Sequence, residues 1–324
     1  MRFLTSRLLA LLLVTAGVAI LTFAQQPSSA IETSLLARAP SSNDPPSYTF
    51  TKRVDEVNLI FTVSDKKGHL VKDLTADDLE LLDNKEAPAG LHFFQQQSEL
   101  PLRIALLIDS SASVDHRMKF EKRGARAFLK EILRPEIDQA FVASFDQKVH
   151  VLQDFTNDPE LLAKSLNAVK AAGETALFDA MALAARKLRE TGNWNITRHV
   201  IVVITDGEDN ESRALLNEAE RAVIGSDAVV YALSTNNLAT GYSKGEAVLE
   251  LLTRGTGGSI LPAREDGQLK RAFTQLGKML RSQYALGYSP ANFQADGRFH
   301  SVELISRKRG YTVRCRRGYF AGRN

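Results

Sequence analysis

Arg103-Ile-Ala-Leu-Leu-Ile-Asp-Ser-Ser-Ala-Ser113 is the stretch on which the reading of this chain turns. Five apolar residues, Ile104 to Ile108, run without a break and stop at Asp109. Unbroken apolarity over that length fits a strand buried on both faces, as in a parallel sheet. Asp109, Ser111 and Ser113 then set three oxygen-bearing side chains at alternate positions, where such a sheet opens toward ligands. They read as the first part of a divalent-cation site, whose other parts the rest of the chain must supply.

Downstream of this stretch, helices and strands alternate. The pattern predicts a helix over 115–133, a hairpin of strands 138–145 and 149–152, and a helix over 159–169 with Pro159 near its first turn. Gly173 breaks the chain, and a helix follows over 176–190. Val200-Ile-Val-Val-Ile204 is a second fully buried strand. Then come a helix over 213–223, a strand over 228–233, a helix over 245–253, a short strand at 259–261 and a last helix over 268–281. Strands interleaved with helices of this length imply an α/β fold, a doubly wound, mainly parallel sheet flanked by helices and Rossmann-like.

The flanks differ. Val57, Leu59, Phe61 and Val63 alternate with Asn58, Ile60, Thr62 and Ser64, a strand signal. Further strands are expected at Leu79–Leu82 and Leu91–Phe94. Beyond Ser282, alternation returns at Tyr284, Leu286 and Tyr288, with strands at Phe299–Ile305 and Tyr311–Cys315. Each β piece is too small to stand comfortably alone. The expectation is that 48–98 and 282–324 pair into an accessory β domain, with the α/β domain, 99–281, inserted between them.

Arg2 and Arg7 precede an apolar run from Leu8 to Leu21 and then Thr22-Phe23-Ala24. That is the pattern of a signal peptide over 1–24, with cleavage expected after Ala24 and a periplasmic or secreted location. An uncleaved anchor is the alternative. Residues 25–47 are polar and proline-rich and read as a flexible linker. Of the 41 Lys and Arg, removal of 1–24 takes two and no acid, leaving 39 against 38 acidic side chains. So even a balance argues against nucleic acid or any general polyanion as partner. Cys315 is the single cysteine, so no intramolecular disulfide can form.

Two later loops complete the cation site. Gly173-Glu-Thr175 sets a threonine at the start of a helix. Thr205-Asp206-Gly207 sets an aspartate at the end of the second buried strand. In a parallel sheet the strand C-termini gather on one edge, so Asp109 and Asp206 can face one another. Asp109-x-Ser111-x-Ser113, Gly173-x-Thr175 and Thr205-Asp206-Gly207 together resemble the three-part metal-ion-dependent adhesion site of the von Willebrand factor A family. Order, spacing and context match over about residues 100–280. The flanks resemble those of exported bacterial proteins that carry such a domain. In that family the serine and threonine hydroxyls contact the metal and the aspartates bind it directly or through water. The resemblance implies metal ligands Asp109, Ser111, Ser113, Thr175 and Asp206, around Mg²⁺ or else Mn²⁺ or Ca²⁺. It implies a protein partner whose Asp or Glu carboxylate fills the sixth position. Glu174 departs from the pattern, standing where many relatives have a second glycine.

Other features have plainer readings. Glu208 and Asp209 read as solvated turn residues and Asp179 as a helix-surface or supporting residue. The basic tail (Arg307, Lys308, Arg309, Arg314, Arg316, Arg317) reads as one solvated strand face, contact with anionic envelope polymers being the alternative. Cys315 reads as a buried small residue, and Trp194 as a packing cap. The sequons at Asn195 and Asn210 read as chance matches. No Gly-x-Ser-x-Gly, His-Glu-x-x-His or Gly-x-x-x-x-Gly-Lys occurs, and the six histidines lack ligand spacing, so no enzyme is expected. Two alternatives stay open: an envelope scaffold or assembly factor in which metal only stabilises the fold, and a metal-assisted hydrolase.

Overall fold

The computed structural model describes residues 56–97, 99–192, 197–236 and 242–322. The signal peptide, the linker over 25–47, Trp194 and Asn195 lie outside the described residues.

The centre is a six-stranded sheet in the order β6-β5-β4-β7-β8-β9. Its strands are β4 (Leu102–Asp109), β5 (Gln139–Phe145), β6 (Val149–Thr156), β7 (Arg198–Thr205), β8 (Val229–Ser234) and β9 (Ser259–Pro262). All pair in parallel except β6, which returns antiparallel beside β5 as a hairpin. The opening stretch shows why. Ile104 to Ile108 are all fully buried, and alternate residues face opposite sides of a strand. Leu102, Ile104, Leu106 and Ile108 pack into one core with α1 (Asp115–Ile132), α2 (Pro159–Ser165) and α6 (Asp266–Leu280). Ala105 and Leu107 pack into a second core with α3 (Leu177–Glu190), α4 (Leu216–Ile224) and α5 (Lys244–Thr256). An unbroken apolar run is therefore a strand with a helix layer on each face.

The remaining strands are β1 (Val57–Ser64), β2 (Leu79–Asp83), β3 (Gly90–Gln97), β10 (Gln283–Ser289), β11 (Phe299–Ser306), β12 (Thr312–Cys315) and β13 (Gly318–Phe320). They make two antiparallel sheets, β12-β1-β10-β3 and β13-β11-β2. Residues of both, among them Leu59, Phe61, Leu81, Leu286 and Leu304, share one core. Asp83, buried on β2, accepts the hydroxyls of Tyr288 on β10 at 2.6 Å and Tyr319 on β13 at 2.9 Å. Strands from the N-terminal and C-terminal segments thus pair with one another and share one core.

Several boundaries differ from those expected. The return strand β6 runs on to Thr156. Strand β13, three residues long, was not expected. Leu70 joins Ser64 by an isolated bridge. Helix α4 begins at Leu216, three residues late, because Asp179 accepts the backbone N–H groups of Arg213 and Ala214 at 3.1 and 2.9 Å and holds them in a turn. Among the described residues no helix is long and apolar enough to cross a membrane.

At the sheet edge away from the strand C-termini, Asp138 is fully buried. It accepts the Leu102 N–H at 2.8 Å, the Arg134 guanidinium at 3.1 Å and the Arg281 guanidinium at 2.6 Å. Arg281 follows α6, so this cluster fixes the point at which the chain leaves the α/β layer for β10. Burial works against the Asp138 charge, but the hydrogen bonds from Arg134, Leu102 and Arg281 hold its pKa below the usual carboxylate value.

Candidate functional site

The register of the sheet sets the first contact. Ile108 on β4 lies opposite Ile204 on β7, so the next residues, Asp109 and Thr205, are neighbours. Thr205 Oγ1 donates to Asp109 Oδ2 at 2.7 Å, across 96 residues of sequence. Asp109 Oδ1 accepts the Ser111 N–H at 2.9 Å. Both carboxylate oxygens are thereby oriented. Ser111 Oγ and Ser113 Oγ lie 3.1 Å apart. Ser111 is buried and Ser113 exposed, so the pair spans from the sheet edge to solvent.

Backbone hydrogen bonds stitch the second loop to the first. Ala172 N–H donates to Ser110 O at 2.8 Å and Ala112 N–H to Gly173 O at 3.0 Å. Thr175, buried, follows directly. Its N–H donates to Asn210 Oδ1 at 2.8 Å, and its carbonyl accepts the N–H groups of Asn210 and Glu211. Those residues belong to the third loop. The three loops are therefore joined by hydrogen bonds at one sheet edge, and each proposed ligand sits on them: Asp109, Ser111 and Ser113 after β4, Thr175 before α3, Asp206 after β7.

Gly207 lets the third loop turn tightly. Its φ is +84°, and a Cβ there would meet Gly245 O at 2.3 Å. The N–H of Gly207 donates to Thr205 Oγ1 at 3.1 Å, and Glu208 N–H donates to Asp206 Oδ1 at 3.1 Å. Asp206 is half-buried.

Electrostatics follow from the burial. Asp109 is 1% exposed. Burial raises its pKa above the ordinary value, the bonds from Ser111 and Thr205 work against that, and the Asp206 charge adds to the rise. A third carboxyl lies beneath. Glu121, on the inner face of α1, is fully buried, with Arg117 Nε at 3.4 Å from Oε1. Its pKa is pushed up to about 7, by burial first, with the Arg117 charge opposing and those of Asp109 and Asp206 adding. The region carries more negative charge than its own cations neutralise.

Does a divalent cation suit this donor set? The two aspartates and three hydroxyls offer only oxygen, the donor that hard cations prefer. Among the described residues no three His, Cys, Asp or Glu are grouped to hold a metal ion, so a cation here draws on the hydroxyls. Two carboxylates balance the charge of a divalent cation, and with three neutral hydroxyls they fill five of about six positions, leaving one for a further oxygen ligand. The residues fit.

Sequence reasoning missed several supporting residues. Thr205 was read only as the first residue of the third loop, not as the partner of Asp109. Asn210 was read within a sequon, yet its side chain links Thr175 N to Glu174 Oε2, the latter at 2.6 Å. That bond is where the Glu174 departure goes. Asp209 corrects the expectation of a solvated turn: Oδ1 accepts the Phe178 N–H at 3.1 Å, close to the start of α3. Glu208 is exposed, as read. An acidic residue near an N–H at the start of a distant helix leaves no mark in local sequence. Arg316 also departs from a solvated face, since it bonds Asp227 and donates to Asn58 O at 2.8 Å. Cys315 is half-buried against the β core, and burial pushes its thiol up to about 11.

Residues 104–208 match the family model of the von Willebrand factor type A domain. The matched segment includes Asp109, Ser111, Ser113, Thr175 and Asp206. No curated protein matches the sequence. Among solved structures, BatB from Bacteroides thetaiotaomicron is 17% identical, covering 56% of this chain and 100% of its own, with a TM-score of 0.46. A von Willebrand factor type A protein from Catenulispora acidiphila is 14% identical, covering 82% and 73%, with a TM-score of 0.49. Proximal thread matrix protein 1 from the mussel byssus, with a zinc-occupied adhesion-site motif, is 15% identical, covering 61% and 49%, with a TM-score of 0.47. Likeness at this level carries no argument about function.

Proposed function

We propose that this chain is an exported, non-enzymatic protein that binds a protein partner through a divalent cation. Asp109, Ser111, Ser113, Thr175 and Asp206 would hold the cation, Mg²⁺ first and Mn²⁺ or Ca²⁺ as alternatives. Bound there, the cation supplies an electrophilic position for a carboxylate oxygen of a partner Asp or Glu. The observation that carries this reading is the hydrogen-bonded junction of three loops, which gathers five oxygen-bearing residues on one edge. Thr205 and the Ser111 N–H fix the direction of the Asp109 carboxylate. Asn210 and Glu174 brace the loop that bears Thr175. We propose the matching organisation: signal peptide 1–24, linker 25–47, β segment 48–98, α/β domain 99–281 and β segment 282–324.

Two measurements test this. Mg²⁺ or Mn²⁺ is titrated calorimetrically into chelator-treated protein and into its Asp109→Ala and Asp206→Ala variants. A loss of at least tenfold in affinity in each variant is expected, and unchanged binding would refute the ligand set. Crosslinking to partners is then run in Mg²⁺ and in EDTA. A partner captured only in Mg²⁺ supports the cation bridge. The same partner captured in both, with a lower melting temperature in EDTA, supports instead a scaffold whose metal only stabilises the fold.

A further inference from the structure

A cleft of about 1060 Å³ opens along β9, between α6 and the strands β1 and β12. It shares no residue with the loops around Asp109. Its charge is one-sided: Lys72, Lys270, Arg271, Lys278 and Arg314 line it, and no Asp or Glu does. All five are exposed. Among the described residues none of the five is ion-paired. Protein surfaces ordinarily intersperse both signs, and like charges converging on a concave wall raise the local potential for an anion. One wall also carries an unmet polar group. Ser259 is 8% exposed, and its Oγ has no hydrogen-bond partner.

The backbone of β9 narrows the ligand class. Ser259, Ile260 and Leu261 all line the cleft. Successive side chains of a strand point to opposite faces, so three consecutive residues on one wall mean that the strand's edge faces the cleft. β9 pairs with β8 and ends the six-strand order. Its outer edge is therefore available for an added strand. Pro262, with no N–H, closes that edge after Leu261. The volume lies at the upper end of small-molecule sites, roughly 300–1,000 Å³, which suits a chain segment.

We infer that this cleft binds an extended acidic segment of a partner protein. The segment lies with its backbone along β9 and its Asp or Glu side chains toward the five cations. The inference stands apart from the cation site and uses none of its residues.

The test uses the full chain in EDTA, so that the cation site contributes nothing. The probe is a fluorescein-labelled Glu-Thr-Glu-Thr-Glu-Thr-Glu peptide read by anisotropy. Saturable binding that weakens with NaCl is expected. Lys270→Gln/Arg271→Gln/Lys278→Gln should weaken it at least tenfold with an unchanged melting temperature, because these side chains are exposed. Asp109→Ala should bind the peptide as the wild type does, which separates failure here from failure of the cation reading. The same peptide N-methylated at alternate backbone amides should bind at least tenfold more weakly. Absence of saturable binding, or wild-type affinity in the triple variant, overturns the proposal. Equal affinity of the N-methylated peptide, or of a dextran sulfate of matched charge, also overturns it and points to an anionic polysaccharide instead.

Discussion

Between pH 4.5 and pH 8 the chelator-treated protein should lose stability, and Glu121 should account for about 3 kcal/mol of the loss. The side chain is fully buried on α1, between Met118 and Ala125 on the inward face. Burial, opposed by Arg117 and reinforced by Asp109 and Asp206, pushes its pKa from 4.5 to about 7. The unfolded chain releases this proton near 4.5, whereas the folded chain holds it to about 7. The stabilisation is thus fully present below pH 4.5 and is lost as pH rises through 7. At about 1.4 kcal/mol for each tenfold change in proton activity, the displacement corresponds to about 3 kcal/mol. Against a total stability of about 5–15 kcal/mol this is large. Urea unfolding at pH 4.5, 6 and 8 in EDTA measures it, with Glu121→Gln as comparison. The stability difference between wild type and variant should change by about 3 kcal/mol across that window, whatever the variant's absolute stability. Parallel pH profiles would refute the reasoning, because they would mean that Glu121 titrates at its unfolded value. A cation held by Asp109 and Asp206 would offset their charge, so Mg²⁺ should move the wild-type window to lower pH.

Three further outcomes can be measured on the same protein. Asp138→Ala leaves Arg134 and Arg281 without their buried partner and should cost about 3–5 kcal/mol in urea unfolding. Thr205→Val removes the donor to Asp109 Oδ2 and the acceptor for Gly207 N–H. It should cost about 1–3 kcal/mol and weaken Mn²⁺ binding in titration calorimetry, since the Asp109 carboxylate is freed to rotate. Gly207→Ala must adopt a positive φ and displace Gly245, so it should cost at least about 1–3 kcal/mol, read as a lower thermal midpoint.

Much of the architecture was readable because it is written in short-range pattern. The apolar runs at 104–108 and 200–204 require burial on both faces, and the interleaved helices supply the two layers. The three loops could be named in order, since each ends or starts a predictable element. Boundaries failed where a distant side chain intervened. Asp179 delays α4, and nothing between Asp209 and Leu216 announces it. The tail was read as one solvated face, yet Arg316 turns in to Asp227 and Arg314 to a cleft, two fates that alternation alone cannot separate.

The sequence by itself determined the class of the elements of the α/β layer, the two-faced burial of β4 and β7, and the oxygen-bearing residues at their ends. Only the tertiary structure decided the strand order, the place of β10 between β1 and β3, and the Thr205–Asp109 bond. It alone made Asn210 the brace of Thr175 and left the edge of β9 facing five cations. The physical reason is range. Burial and turn chemistry act over a few residues and repeat with the local period. A register or a hydrogen bond between residues some hundred positions apart exists only once the sheet has closed.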